Sequence, residues 1–141
     1  MFGKRVAKEL LNHLFGKTPD TTPAGVVYLS LHTASPGEDG QTSNEATGTG
    51  YARVAKAAVD WNAATDADPA VTTNATAISW PQAGGAWSSG TVFTHVGFWS
   101  HASQTTEAVF VGAVAMTGTP RAVASGDTFS IAGGALTVTL D

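Results

Sequence analysis

The sequence contains no cysteine, which excludes a disulfide framework and any thiolate metal site. It has little charge: Asp, Glu, Lys and Arg make up 13% of residues, about half the share of an ordinary soluble domain. Small residues fill the gap. The expectation is a weakly charged surface partly covered by other subunits. No apolar run approaches the ~20 residues of a membrane-spanning helix, so no membrane partner is expected. The start, Met1 to Leu14, is basic but lacks both an apolar h-region and a small-residue cleavage site, so a secretory signal is not expected.

Catalytic and ligand motifs are equally scarce. There is no G-x-S-x-G elbow, and the four histidines His13, His32, His95 and His101 fall in no ligand spacing. They read as ordinary packed or polar side chains. Gly48-Thr49-Gly50 has a phosphate-loop look, but no helix pattern follows to aim N–H groups at a phosphate. Asp66 and Asp68, spaced as D-x-D, lack the glycine and closing glutamate of a calcium loop; these two, like Glu38 and Asp39, suit turns and solubility better. The expectation is therefore a protein that is not an enzyme and needs no cofactor or metal.

What remains is a chain of 141 residues, 43% apolar, enough for one domain with one core. Its charge is unevenly placed. Lys4, Arg5, Lys8 and Lys17 against Glu9 give residues 1–17 a net +3, while three basic and ten acidic residues give the remainder −7, for −4 overall. Such a split points to an interaction arm. An acidic body repels phosphates, so nucleic acid is not an expected partner.

The apolar spacing supports that division. Phe2, Val6, Leu10 and Leu14 recur every fourth residue, with Leu11 and Phe15 widening the stripe. This predicts an amphipathic helix over 2–15, stopped by Gly16. Residues 1–17 form the expected docking arm and 24–141 the expected body. After Pro23 the period becomes two. Val27, Leu29 and Leu31 alternate with Tyr28, Ser30 and His32, a half-buried strand. A polar loop spans 34–50. Further strand regions are expected over 51–61, 71–80, 91–100 and 108–116, with a short edge at 120–124. Residues 127–132 and 135–140 read as a closing hairpin turned at Gly133-Gly134. Seven or eight short strands with no second helical pattern predict an all-β fold. The favoured form is an antiparallel β-sandwich, jelly-roll-like, with one N-terminal α-helix.

Several segments resemble a known family. Leu10-Leu11-Asn12-His13-Leu14, the run Val27 to Glu38, Asn44-Glu45, Gly50-Tyr51-Ala52-Arg53, Thr94 to Trp99, Ala122 to Phe129 and Gly134 to Leu140 are similar to small tailed-phage and prophage structural proteins. These are commonly labelled tail fibre or minor virion proteins. The resemblance covers nearly the whole chain. It implies a non-enzymatic virion component, tail or tail-tip associated, assembled in the bacterial cytoplasm and docked to other virion subunits as a homo-oligomer. A capsid decoration (cement) protein is the alternative position, and a host-surface glycan-binding module the alternative role.

The residues expected to dock are Phe2, Lys4, Arg5, Val6, Lys8, Leu10 and Leu14 on the helix. They pack either on a neighbouring subunit or on the chain's own body. Trp61, Trp80, Trp87 and Trp99 are many tryptophans for this length. Trp80 and Trp99 lie in strands and belong to the core. Trp87 lies in a Gly/Ser-rich loop, where it anchors an interface, packs locally or stacks on a sugar.

Overall fold

A computed structural model describes Gly3, Lys4, Lys8, Leu10, Leu11, Phe15, residues 25–106 and residues 109–140, the last of these by its backbone only. Phe2, Arg5, Val6 and Leu14, and with them most of the helix expected over 2–15, lie outside the described residues.

The described chain is all-β. Its strands are β1 (Val26–His32), β2 (Val54–Ala57), β3 (Ala70–Thr73), β4 (Ile78–Ser79), β5 (His95–Trp99), β6 (Phe110–Ala115), β7 (Ser130–Ile131) and β8 (Thr137–Leu140). Every pairing is antiparallel. One sheet has four strands in the order β2-β1-β5-β6; β3 pairs with β8 and β4 with β7. The region 120–124 contributes only an isolated bridge, Phe93 to Arg121.

β1 is the central strand, and its alternation sets both faces of the sheet. Leu29 and Leu31 point one way, opposite Phe98 and Val96 of β5. Ser30 and His32 point the other way, opposite Gly97 and His95. The alternation predicts a strand wet on its polar face. Instead Leu29, Ser30, Leu31 and His32 are all fully buried, because loops cover the polar face as well.

The closing hairpin expected at Gly133-Gly134 does not form. β7 and β8 pair with β4 and β3, not with each other. The registers Val71 to Thr139 and Ile78 to Ile131 differ by one residue, so both pairs belong to one long ribbon with an irregularity in its middle. Asn74 makes the splice. Its Nδ2 donates to Thr76 O and Ala132 O, both at 2.8 Å, and its Oδ1 accepts the Leu136 N–H at 2.8 Å. Gly134, at φ +77°, donates its N–H to Asn74 O. The glycine pair thus serves as the slack side of a bulge, a use that demands the same left-handed backbone as a hairpin turn.

The main core joins the four-stranded sheet to the ribbon. Leu29, Leu31, Val96 and Phe98 share one cluster with Ile78, Trp80, Phe129 and Leu136. Within it the Trp80 and Phe129 rings meet edge to face at 5.6 Å. A smaller cluster, Trp99, Phe110 and Ala113, lies apart from it. Replacing Asn74 by Ala is expected to lower stability by roughly 1–3 kcal/mol, the cost of orphaning a buried polar group. Replacing it by Asp, which sets an acceptor against two carbonyls, is expected to do at least the same damage. Urea unfolding of both variants checks this.

Candidate functional site

Of the residues expected to dock, Lys4, Lys8, Leu10 and Trp87 are described. The Gly3 N–H donates to Val111 O of β6 at 2.8 Å. Lys4 Nζ pairs with Asp39 Oδ1 at 2.8 Å, with both side chains more than half exposed, a geometry that contributes little to stability. Lys8 is exposed. Leu10, Leu11 and Phe15 are 51%, 56% and 71% exposed. The Phe15 N–H donates to Leu11 O at 3.0 Å, which sets those two side chains on one side of the backbone.

Trp87 is a correction. It is fully buried, and its indole Nε1 donates to Thr49 O at 3.1 Å. The ring meets Tyr51 edge to face at 5.3 Å. Neither an interface anchor nor a sugar platform is left to it; of the three readings, local packing is the one observed. Its loop folds back through a tight turn, Trp87–Gly90, with Ser88 and Ser89 in the left-handed region at φ 47° and 54°. That tight turn is what brings a residue of a Gly/Ser-rich loop into the core.

An assembly of polar side chains lies on the opposite face of the sheet. Asn44 Nδ2 donates to Ser35 O at 2.9 Å, which leaves Oδ1 facing His32 Nδ1 at 2.7 Å. An acceptor there requires the proton on Nδ1, so Nε2 is bare. Nε2 accepts from the Ser30 hydroxyl at 2.7 Å. Ser30 Oγ in turn accepts the Trp99 indole N–H at 2.7 Å. The chain runs in one direction across three segments: β5, β1 and the 34–50 loop.

Beside it stands a buried ion pair. Arg53 Nε and Nη2 donate to the two Glu45 oxygens at 2.8 and 2.7 Å, with side chains 3% and 11% exposed. Arg53 Nη1 donates to His101 O at 3.2 Å and Gln104 O at 2.8 Å. The guanidinium also stacks 3.8 Å over the Trp99 ring. Tyr51 completes the group: its hydroxyl donates to Glu45 Oε1 and accepts the Leu31 N–H, both at 3.1 Å. Burial first, then the Glu45 charge, holds the Tyr51 hydroxyl far above its ordinary pKa. Burial likewise pushes His32 below its ordinary value, against the opposing pull of Asn44 and Glu45.

Ser30, His32 and Asn44 follow the order nucleophile, base, orienting group. Nucleophilic chemistry needs an exposed hydroxyl, and this one is fully buried. A Cβ on Gly97 would stand 2.5 Å from Ser30 Oγ and 2.7 Å from His32 Nε2, so the strand opposite leaves no room for a substrate. The geometry fastens loops to the sheet. Sequence reasoning missed every member of this network as a site. One signal was available: Ser30, His32, Asn44, Glu45, Tyr51, Arg53 and Trp99 all lie in the segments that carry the family resemblance.

A second feature is an apolar pocket of about 200 Å³ between the four-stranded sheet and the ribbon. Val27, Phe98 and Val114 line it from the sheet, Thr72 and Val138 from the ribbon. Among the described residues no three His, Cys, Asp or Glu side chains gather into a metal site.

Two outcomes are expected of the network. Arg53→Ala should cost about 3–5 kcal/mol, because Glu45 is left buried and unpaired. An Arg53→Met/Glu45→Gln double variant should lose less than its two single changes summed, as urea unfolding will show. The lowered His32 pKa means that the unfolded chain takes up its proton first as pH falls. Its contribution to stability is whole above an unfolded pKa of about 6.5 and is lost progressively below that, through the folded value. Unfolding midpoints measured between about pH 8 and pH 5 should fall on the acid side, with a shallower fall in His32→Gln.

The family model described as podophage GP4 fiber I protein gp80 matches residues 2–139. A comparison with curated proteins finds no match. The family match spans Gly3, the polar network, the pocket and the spliced ribbon together. The chain belongs to the podophage GP4 fiber I protein family, which makes it a structural fibre component of a tailed-phage virion.

Proposed function

We propose that this fibre component sits at the tail or its tip, and is held there by docking residues 2–15 against neighbouring virion subunits. In this reading residues 2–15 are a helical arm. The body is a jelly-roll-like sandwich, the four-stranded sheet facing the ribbon, and it works without catalysis or cofactor. One observation carries the reading. Of five large apolar side chains exposed among the described residues, three are Leu10, Leu11 and Phe15. Three such groups within six residues form a patch that favours burial in a partner.

Charge supports the same reading. The arm is basic and the body acidic, so Arg5 and Lys8 at the rim suit an acidic neighbour. No observation favours a capsid over a tail position. The glycan-binding reading rested on Trp87, whose burial removes its platform.

The triple variant Leu10→Ser/Leu11→Ser/Phe15→Ser tests the docking. Its side chains are exposed, so folding and melting should stay near wild type, since surface changes are usually worth within about 0.5 kcal/mol. Particles assembled with the variant should lack the protein on immunoblots. Wild-type amounts in those particles would refute the docking role.

A further inference from the structure

We infer that the arm of one copy seats in the apolar pocket of a second copy, with Leu11 and Phe15 entering between the four-stranded sheet and the ribbon. The inference rests on the docking reading above and names its partner.

The pocket has the size for such a guest. A dry cavity of about 150 Å³ takes a benzene molecule. About 200 Å³ admits the ring of Phe15 with part of a leucine beside it. Its walls are chemically suited as well. Val27, Phe98, Val114 and Val138 present only hydrocarbon, and Thr72 is the polar residue among those named.

The guest is not the chain's own arm. Leu11 and Phe15 are exposed in the single chain, so neither is seated in its own pocket. The arm starts at Gly3, held to β6 through Val111, a residue that also lines the pocket. Donor and acceptor surfaces are therefore distinct patches on one molecule. Two copies that exchange arms, or a ring of copies docked head to tail, satisfy every arm and every pocket.

Charge complementarity selects a sister copy. Lys8 is exposed three residues before Leu11. The loop entering β3 carries exposed Asp66 and Asp68, just ahead of pocket-lining Thr72. An arm laid with Leu11 in the pocket brings its basic residues towards that acidic loop.

The absence of native cysteine makes the contact measurable. Two full-length single-cysteine proteins, Leu10→Cys, which keeps Leu11 and Phe15, and Thr72→Cys, are mixed and mildly oxidised. A disulfide-linked heterodimer is expected, and none when Thr72→Cys is replaced by the control Ser125→Cys. In parallel, light scattering follows self-association. Wild type should associate with rising concentration, whereas Phe15→Ser and the pocket-filling Val114→Trp should each weaken it at least tenfold. Thr72→Trp fills the same pocket should Val114→Trp fail to fold. Loss of association in Phe15→Ser alone, with no cross-link to Thr72→Cys, would overturn the pocket and leave arm docking intact. A wild-type monomer at every concentration, without cross-link, would overturn the second copy as occupant. The triple arm variant entering particles normally would overturn the docking reading itself.

Discussion

The polar side of this protein hangs on one buried guanidinium. Arg53 holds Glu45 with two charge-assisted bonds, caps two carbonyls of the 100–106 loop and sits over the Trp99 ring. Removing an ion from water is costly, and only such complete satisfaction offsets it. Once Arg53 is fixed, Glu45 fixes Tyr51, and Tyr51 fixes the edge of β1 through the Leu31 N–H. The neighbouring chain from Asn44 through His32 and Ser30 to Trp99 uses the same loop and the same indole. The centre of the four-stranded sheet, at Leu29 to His32, is thereby buried on both faces, apolar on one and hydrogen-bonded on the other. A chain with 13% charged residues spends two of them where solvent is absent, and that placement organises the longest loop of the fold.

Much of the fold was legible because side-chain period is a local property. The alternation of Val27 to His32 located β1, and the run 108–116 located β6. What was not legible depends on contacts far apart in sequence. Gly133-Gly134 has the composition of a hairpin turn, and nothing local says that the Asn74 amide will splice it into a ribbon with β3 and β4. Trp87 reads as exposed because its neighbours are small and polar, whereas Thr49 and Tyr51, nearly forty residues earlier, receive it. The alternation in β1 likewise placed Ser30 and His32 in water; only the distant Asn44, Arg53 and Trp99 keep them dry. Of the apolar stripe expected over 2–15, Leu10, Leu11 and Phe15 are exposed.

The same triad of atoms can serve chemistry or architecture, and surroundings decide which. Serine hydroxyl, imidazole and amide here stand in the order that activates a nucleophile. Gly97 brings the opposite backbone so close that the hydroxyl has only protein partners. In a family of structural fibre proteins, such a chain of donors gives direction and uniqueness to a packing interface that apolar contacts alone would leave free to slide.

The Arg53 clamp also governs how the molecule comes apart. It ties residues 45, 53, 101 and 104 into one knot, so neither covering loop can peel away alone. Lifting Glu45 away leaves the Arg53 charge buried without its carboxylate, and lifting the 100–106 loop strips Arg53 of two carbonyl acceptors, so either local opening is costly. A digestive protease must capture a loosened stretch of backbone before it can cut, and its rate follows the population of that open form. Without a cross-linking covalent bond, the knot ties the two loops that it joins against such local opening.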